Sequence, residues 1–365
     1  MKKIAIIPFH DGLDNNRLFE SSDSESHHDN LMLPYKIIKE NLESLGYIVN
    51  TIDLIVDYKE IDFVLFFKPD VKYLLKLKNC EAKLLYFAWE PEVVDSKNSI
   101  NGLRNLSKYF DAIFTWNDEV IDNKTYFKIN YPYYFENKIK INIPSSQEFE
   151  KKKQLVNISG NKFSLHKDEL YSSRWKVISF YNRHYPDEFE LYGKNWPSIV
   201  TYKGSCDSKS EIYKNFKFAL CLENMHNIKG YITEKIFDCF TSGIVPIYLG
   251  ASNIDHYIPR NCYISYNFKS VSELREYINS ISLEEYQQYL KNIQLFLNEG
   301  NLRTFKAEYF VEQINNYINS NNCLPKRRVN ENVIKVRIFY NSIKKYPKAL
   351  FNKSYTLIKN ILIQI

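Results

Sequence analysis

This sequence lacks three features that would place it in common classes of protein. Its 365 residues contain no window of 18 or more apolar residues, which argues against a membrane-spanning helix. Its six cysteines never have C-x-x-C spacing, so we expect reduced core thiols rather than a zinc or iron–sulfur site. The N-terminal segment MKKIAIIPFHDG has too short an apolar run for a signal peptide, and we expect it to form the first strand of a cytoplasmic protein.

The basic excess of the chain is concentrated at its C-terminus. The formal net charge is +6, and residues 325–365 hold ten of the 49 basic side chains but one of the 43 acidic ones. In the segment 323–365, apolar residues such as Val333, Val336 and Tyr340 recur at helical spacing. A basic amphipathic helix is typical of segments that bind anionic membrane surfaces. Nucleic-acid binding is a weaker alternative because no groove-reading motif is present. The segment could also be a charged terminal helix docked on the first domain, or disordered, with no binding role.

The rest of the chain alternates short apolar runs with segments of helical periodicity. Runs at 4–8, 47–51, 63–67, 84–87 and 112–116 predict buried strands within a first domain, 1–140. Residues 141–153 are polar and charged and read as a linker. A second alternation fills 154–322 and predicts a second domain of the same α/β class. Two such domains joined by a linker suit an enzyme whose site lies in the cleft between them.

Residues 218–250 are the most informative stretch. They read FALCLENMHNIKGYITEKIFDCFTSGIVPIYLG, which predicts a strand, a polar loop, a helix and a second strand. Polar residues stand where the first strand ends, at Glu223 and Asn224, and where the helix begins, at 231–235. Ligands of parallel sheets bind at the carboxyl ends of strands, and the start of a helix favours a phosphate.

The order F-x-L-x-x-E-N, Y-I-T-E-K and G-x-V-P-I-x-L-G resembles the donor-site signature of the α-1,3-fucosyltransferases of glycosyltransferase family 10. The resemblance covers roughly residues 83–281. It implies the GT-B fold, in which an N-terminal acceptor-binding Rossmann-like domain faces a C-terminal GDP-fucose-binding one. It also implies inverting transfer of L-fucose from GDP-fucose to a GlcNAc-type hydroxyl, in α-1,3 or α-1,4 linkage.

The chain has no D-x-D motif, because no two of its aspartates are separated by a single residue. Metal-dependent glycosyltransferases commonly use that motif to hold a divalent cation on the donor diphosphate. Cationic side chains and a helix N-terminus must then neutralise the leaving diphosphate. We therefore predict neither a metal nor any required cofactor.

The resemblance places the donor site in the second domain. Arg174 and Lys235 match the family residues that bind the donor phosphates, although an ordinary surface arginine and a solvated partner of Glu234 are the plain alternatives. A fork-shaped guanidinium suits a pair of diphosphate oxygens, and an ammonium acts as a compact point charge. The other predicted donor-binding residues, at strand ends or at the start of the helix, are Asn161, Gly193, Glu223, Asn224, Tyr231 and Glu234.

The catalytic base is expected in the first domain. Inversion requires a carboxylate that takes the acceptor proton while the diphosphate leaves from the opposite face of the sugar. Glu90 follows the apolar run in LLYFAWEPE and precedes a proline, so it is the best candidate. Glu92 is its competitor, and a solvated loop carboxylate is the plain alternative. The nearby aromatic residues, Trp89, Trp116, Tyr131, Tyr133 and Tyr134, are more often core residues and are left out of the site.

These features predict an enzyme that decorates a cell-surface glycan, such as a polysaccharide or lipopolysaccharide, on an oligosaccharide or lipid-linked acceptor. We expect a cytoplasmic enzyme, peripheral on the inner face of the membrane through its tail, with no nucleic-acid partner. A GT-B transferase of another nucleotide sugar and a non-catalytic glycan-binding protein of the same fold remain alternatives.

Overall fold

The computed structural model describes residues 1–20 and 32–320. The predicted amphipathic tail, 323–365, lies outside the described residues. No helix in the described part of the chain combines the length and the apolar character needed to cross a membrane.

The first sheet has six parallel strands in the order β2-β1-β3-β4-β5-β6. They are β1 (Lys3–Ile7), β2 (Ile48–Thr51), β3 (Phe63–Phe66), β4 (Lys83–Ala88), β5 (Ala112–Thr115) and β6 (Tyr126–Lys128). The helices of this part are α1 (Leu33–Ser44), α2 (Val71–Lys76) and α3 (Ile100–Leu106). All four residues of β3, FVLF, are buried, as expected for a strand with both faces covered.

The second sheet has five parallel strands in the order β11-β10-β9-β7-β8. They are β7 (Lys153–Ile158), β8 (Phe189–Tyr192), β9 (Phe216–Leu222), β10 (Val245–Leu249) and β11 (Ile264–Ser265). The helices around it are α4 (Ser146–Lys151), α5 (Tyr171–His184), α6 (Lys209–Tyr213), α7 (Glu234–Thr241), α8 (Val271–Ser280) and α9 (Leu283–Glu299). The two parallel α/β sheets confirm the predicted fold class.

Strand order fixes where a ligand can bind. In the second sheet the chain runs from β7 outward to β8 and returns to β9 on the other side of β7. The connections after β7 and β9 therefore diverge and leave a crevice at their carboxyl ends. The first sheet has the same arrangement at β1 and β3. The predicted site residues at strand ends fall at these edges.

Two segments differ from simple expectation. The predicted linker contains α4, because Ser145 and Glu148 form a capping box that starts a helix. The last described helix, α10 (Ala307–Ser320), lies within the range predicted for the second domain but packs on the first sheet. Its buried residues Phe310 and Ile314 join the core of that sheet, because its apolar face fits beside α1. The domain boundaries themselves remain a prediction.

Candidate active site

A buried carboxylate marks the carboxyl end of β9. The Glu223 side chain is fully buried, and its Oε1 accepts hydrogen bonds from the backbone N and the Oγ1 of Thr233, at 2.9 and 3.0 Å. The Nζ of Lys235 lies 3.0 Å from Glu223 Oε2. A buried charge is tolerated when it is paired and hydrogen-bonded, and Glu223 is both. This cluster ties the end of β9 to the start of α7.

Lys235 also contacts the residue before it. Its Nζ lies 3.5 Å from Glu234 Oε1 and donates a hydrogen bond to Thr233 Oγ1 at 2.9 Å. Burial opposes the charge of the ammonium, but Glu223 and Glu234 outweigh it and raise the pKa of Lys235. Burial likewise opposes the Glu234 carboxylate, but Lys235 and Lys209 lower the pKa of Glu234 to about 2. A fixed cation and a fixed anion therefore stand together at the start of α7.

Arg174 is not a surface arginine. It projects from α5, is 4% exposed, and donates from one terminal nitrogen to the carbonyl oxygens of Leu222 and Glu223, both at 2.6 Å. The same nitrogen lies 3.2 Å from Asn224 Oδ1. Because these acceptors cluster at the end of β9, the guanidinium adds positive charge at the edge where Lys235 stands. Its predicted contact with donor phosphates stays a prediction.

Tyr231 lies where the domain of the second sheet contacts the domain of the first. It is 1% exposed, and its ring centroid is 4.7 Å from that of Trp116, which follows β5. Asn224 Nδ2 donates to the Tyr231 hydroxyl at 3.4 Å. Tyr231 thus belongs structurally to a small apolar cluster across the interface. Its predicted contact with the donor is not tested by this packing.

Asn161 and Gly193 hold two neighbouring loops together. The Asn161 backbone N donates to the carbonyl of Lys194 at 2.9 Å, and its Oδ1 accepts from Trp175 Nε1 at 2.9 Å. Gly193 has φ +125°, and a Cβ there would lie 2.1 Å from the carbonyl oxygen of Ser159. Only glycine fits such an approach. Both residues shape the crevice beyond β7 and β8, and a direct role in binding stays a prediction.

Glu90 faces these residues from the first domain. It follows β4, its side chain is exposed to solvent, and its carbonyl accepts a hydrogen bond from Asn98 Nδ2 at 2.6 Å. Although the residue keeps access to solvent, the protein atoms around the carboxylate partly desolvate it and raise the pKa of Glu90, an effect opposed by Lys162 and Lys235 and reinforced by Glu234. All three of those charges belong to the second domain. The carboxylate therefore lies within their electrostatic range across the cleft, and a raised pKa suits a general base.

Glu92, the competing candidate, is engaged elsewhere. Its Oε1 lies 3.1 Å from His166 Nε2. The other ring nitrogen of His166, Nδ1, accepts a hydrogen bond from the backbone N of Asp168 at 3.2 Å. The histidine proton is therefore assigned to Nε2, which donates to Glu92. This contact occupies Glu92 and favours Glu90 as the base.

Comparison with known proteins decides the family. Residues 149–344 match the family model described as glycosyltransferase family 10 (fucosyltransferase), C-terminal region. This chain belongs to glycosyltransferase family 10. The match spans more than half of the chain and includes the β9–α7–β10 region. The membership expected from the 218–250 signature is confirmed, and with it the prediction of a glycosyltransferase.

Curated relatives match this family 10 chain over a shorter stretch. GDP-fucose protein O-fucosyltransferase 3 from Xenopus tropicalis is 30% identical over 154 residues, which are 39% of this chain and 32% of the relative. The 4-galactosyl-N-acetylglucosaminide 3-alpha-L-fucosyltransferase 9 from Bos taurus is 34% identical over 119 residues, 32% of this chain and 30% of the relative. The chain thus spans about a third of the length of these relatives.

Solved structures resemble the family 10 chain over most of its length. A crystal structure of an α1,3-fucosyltransferase aligns with a TM-score of 0.54 at 17% identity and covers 88% of this chain and 91% of the other. The structure of an α1,3-fucosyltransferase with GDP-fucose aligns with a TM-score of 0.52 at 16% identity, covering 90% and 93%. At this identity the likeness concerns the fold, and it confirms the predicted GT-B architecture.

Sequence reasoning missed one charged pair of this glycosyltransferase. Lys209, at the start of α6, forms a buried ion pair with Asp238 on α7. Tyr133 donates a hydrogen bond to the same aspartate at 3.1 Å. The pair supports the site because the positive charge of Lys209 helps to lower the pKa of Glu234. Nothing local distinguishes Lys209 from a surface lysine, since its partner is distant in the sequence.

A second missed element joins the two domains. Asp118, after β5, accepts hydrogen bonds from Asn253 Nδ2 at 2.8 Å and from the Tyr257 hydroxyl at 2.8 and 2.9 Å. Lys128 Nζ lies 2.6 Å from the same carboxylate. Although burial opposes the charge, Lys128 and these donors lower the pKa of Asp118. The link fixes the first domain, and with it Glu90, against the second.

No group of three or more His, Cys, Asp or Glu side chains within 1–20 and 32–320 is arranged to hold a metal ion. Arg174 and Lys235 are the cations that the family resemblance assigns to the donor diphosphate. Whether the reaction proceeds without a metal remains a prediction.

Proposed function

We propose that this glycosyltransferase transfers L-fucose from GDP-fucose to a hydroxyl of a GlcNAc-containing glycan, with inversion and without a metal ion. The observation that carries the proposal is the cluster of Lys235, Arg174 and the buried Glu223 at the carboxyl end of β9, with Glu90 at the carboxyl end of β4 in the first domain. An inverting transfer needs a carboxylate base on the acceptor side and positive charge on the donor side. Glu90 would supply the base, and Lys235 at the start of α7 would supply the charge.

On the donor side, Lys235 and Arg174 would neutralise the diphosphate as it leaves. Both are held in place, Lys235 by Glu223 and Arg174 by the carbonyl groups that end β9. Preorganised cations stabilise developing charge without reorganising in the transition state. Glu234, with a pKa of about 2, stays ionised and would accept hydrogen bonds from hydroxyls of the transferred sugar.

On the acceptor side, Glu90 would take the proton from the attacking hydroxyl. The Glu90 carbonyl is hydrogen-bonded to Asn98, and the neighbouring Trp89 carbonyl accepts from Trp116 Nε1 at 2.6 Å. These contacts fix the backbone beneath the carboxylate, which is the condition for a well-placed base. The base then lies on the face of the sugar opposite the diphosphate.

The acceptor and the linkage rest on weaker support. The Bos taurus relative is named for transfer to the 3-position of an N-acetylglucosaminide, which supports a glycan acceptor. An Arabidopsis thaliana relative is named an alpha-(1,4)-fucosyltransferase, so α-1,3 and α-1,4 linkages are both candidates. The Xenopus relative is named a protein O-fucosyltransferase, so a polypeptide acceptor is the second candidate. Within the glycan class, we propose a cell-surface glycan on an oligosaccharide or lipid carrier.

A binding titration tests the donor first. Purified protein with EDTA is titrated with GDP-fucose, GDP-mannose, UDP-galactose and GDP. Tightest binding of GDP-fucose supports the proposal, while preference for another nucleotide sugar identifies a different donor. Turnover is then measured with N-acetyllactosamine and with a serine-containing peptide. Binding of N-acetyllactosamine without turnover, in the presence of GDP-fucose, would indicate a glycan-binding protein. Activity that returns only when a divalent cation is added would overturn the metal-independent mechanism.

We also propose that the enzyme works at the cytoplasmic face of a membrane through residues 323–365. The support is the sequence of that segment alone, with its lysines and arginines beside a helical apolar pattern. Flotation with vesicles of phosphatidylglycerol and phosphatidylcholine tests it. We expect the full-length protein to float with the anionic vesicles and a protein truncated after residue 322 not to do so. Equal flotation of the two proteins would contradict the proposal.

A further inference from the structure

A cavity of about 680 Å³ lies beside α7 and shares Glu234 with the predicted donor site. Glu234 and Thr241, the first and last residues of α7, both line this cavity. At the rise of an α-helix, those residues are about 10 Å apart along the axis. Other lining residues come from the segment 132–142, which connects the two sheets along the chain, and from Pro34 at the start of α1.

The Glu234 end adjoins the proposed reacting centre. Glu234 Oε1 lies 3.5 Å from the Nζ of Lys235, which is predicted to bind the donor phosphates. A chain of sugars whose last residue lies beside Glu234 at the proposed site can therefore continue into the cavity along α7.

The cavity lining carries positive charge that no carboxylate of the described residues neutralises by direct contact. Among the described residues, no carboxylate lies within ion-pair distance of the ammonium groups of Lys140 and Lys152, which both line it. The Lys152 ammonium donates to the backbone carbonyl of Lys214, and burial lowers the pKa of Lys152 despite the opposing charge of Glu148. An anion bound nearby would stabilise the charged form of the Lys152 ammonium and so offset the effect of its burial.

The acidic lining residues do not cancel this charge. Asp238 is paired with Lys209, and Glu234 with Lys235. Glu136 and Lys140 both line the cavity and are exposed to solvent, so the fields of these two opposite charges are strongly screened. Lys152 is less exposed, and no carboxylate in the described part of the chain lies at ion-pair distance from it, so its ammonium is the main unneutralised charge of the lining.

The remaining lining suits carbohydrate. Tyr134 is 38% exposed in the cavity and offers a ring face on which a sugar can stack. Asn142 and the hydroxyl-bearing residues Thr241 and Ser242 supply further hydrogen-bonding groups in the lining. An aromatic face beside a few polar groups is a common composition of a ligand site.

We propose that this cavity binds a negatively charged segment of the acceptor glycan, a sugar that bears a carboxylate or phosphate and lies several units from the fucosylated residue. This inference rests on the proposed function for the position of the acceptor. Lys140 and Lys152 bind the anionic group, and Tyr134 stacks on a sugar ring. The cavity thereby selects acidic over neutral acceptors.

The test compares two oligosaccharides that both end in N-acetyllactosamine. In one the sugar farthest from that end is a neutral hexose, and in the other it is glucuronate. Each is titrated into the full-length protein loaded with GDP. We expect about tenfold tighter binding of the charged oligosaccharide, as charge-assisted hydrogen bonds would provide. The double variant K140Q/K152Q should reduce the preference to less than about twofold, without changing the Kd of the neutral compound.

The control is K176Q, which removes an exposed lysine from α5 and should keep the full preference. Equal affinity for the two compounds, or a preference that survives K140Q/K152Q, would overturn the inference. If inorganic phosphate alone binds as tightly as the charged oligosaccharide and displaces it, the cavity is a site for a free anion and the acceptor assignment is wrong. Turnover of the neutral oligosaccharide tests the proposed function separately.

Discussion

Lys235 Nζ lies 3.0 Å from Glu223 Oε2, a carboxylate with no solvent exposure. The lysine is thus part of the fold as well as a candidate phosphate ligand. Because Glu223 ends β9 and Lys235 stands in the first turn of α7, their ion pair holds the helix start against the strand. A substitution at Lys235 should therefore affect both stability and donor binding.

We predict that Lys235→Met lowers the free energy of unfolding by about 2 kcal/mol, since the buried Glu223 carboxylate loses its cation but keeps its hydrogen bonds from Thr233. Urea denaturation measures the loss. The matched control is Lys176→Met on the exposed surface of α5, which should stay within about 0.5 kcal/mol. An unchanged stability for Lys235→Met would show that Thr233 alone satisfies Glu223.

Glu90→Gln should reduce turnover by about 10²- to 10⁴-fold, the usual contribution of a general base. The Kd of GDP-fucose should stay unchanged, because the donor contacts lie in the other domain. Single-turnover kinetics and titration measure the two effects. Glu92→Gln is the control and should retain most of the rate, since Glu92 is bound to His166. If Glu92→Gln lost this activity and Glu90→Gln kept it, Glu92 would be the base.

Glu234 makes stability depend on pH. Its pKa is about 2 in the folded protein, against 4.5 for an ordinary glutamate, so the folded state binds its proton less tightly than the unfolded state. The ionised carboxylate therefore stabilises the fold above pH 4.5, and this contribution is lost as the pH falls from 4.5 toward 2. We expect Glu234→Gln to have a lower free energy of unfolding than the parent protein at pH 7, and this difference to become smaller at pH 3. Denaturation at both pH values measures the difference, and an equal difference at pH 7 and pH 3 would contradict this account.

Two glycines of the second domain offer a matched pair. Gly193 and Gly204 have φ values of +125° and +106°, but a Cβ would lie 2.1 Å from Ser159 O at Gly193 and would meet nothing within 4 Å at Gly204. Gly204→Ala should lower the free energy of unfolding by about 1–2 kcal/mol through backbone strain alone. Gly193→Ala should lower it by at least about 2 kcal/mol more, because the steric clash adds to that strain. Equal losses in thermal or urea denaturation would show that the loop beyond β7 moves away without cost.

The sequence by itself determined the repeated α/β pattern and the position of the donor edge. Alternating apolar runs predicted the strands, because a strand buried on both faces needs continuous apolar residues. The 218–250 signature identified the family, and polar residues at strand ends marked the crevice, since carboxyl ends of parallel strands share one edge. These features depend on local order along the chain and can be read from it.

Only the tertiary structure decided which charges meet. Arg174 looked like a surface residue, yet it is buried because β9 supplies carbonyl acceptors from a distant part of the chain. The Lys209–Asp238 pair and the return of α10 to the first sheet had no local signal. Burial and pKa depend on the neighbours that packing brings together. The electrostatic relation of Glu90 to Lys235 and Glu234 therefore became visible only when the two domains were placed face to face.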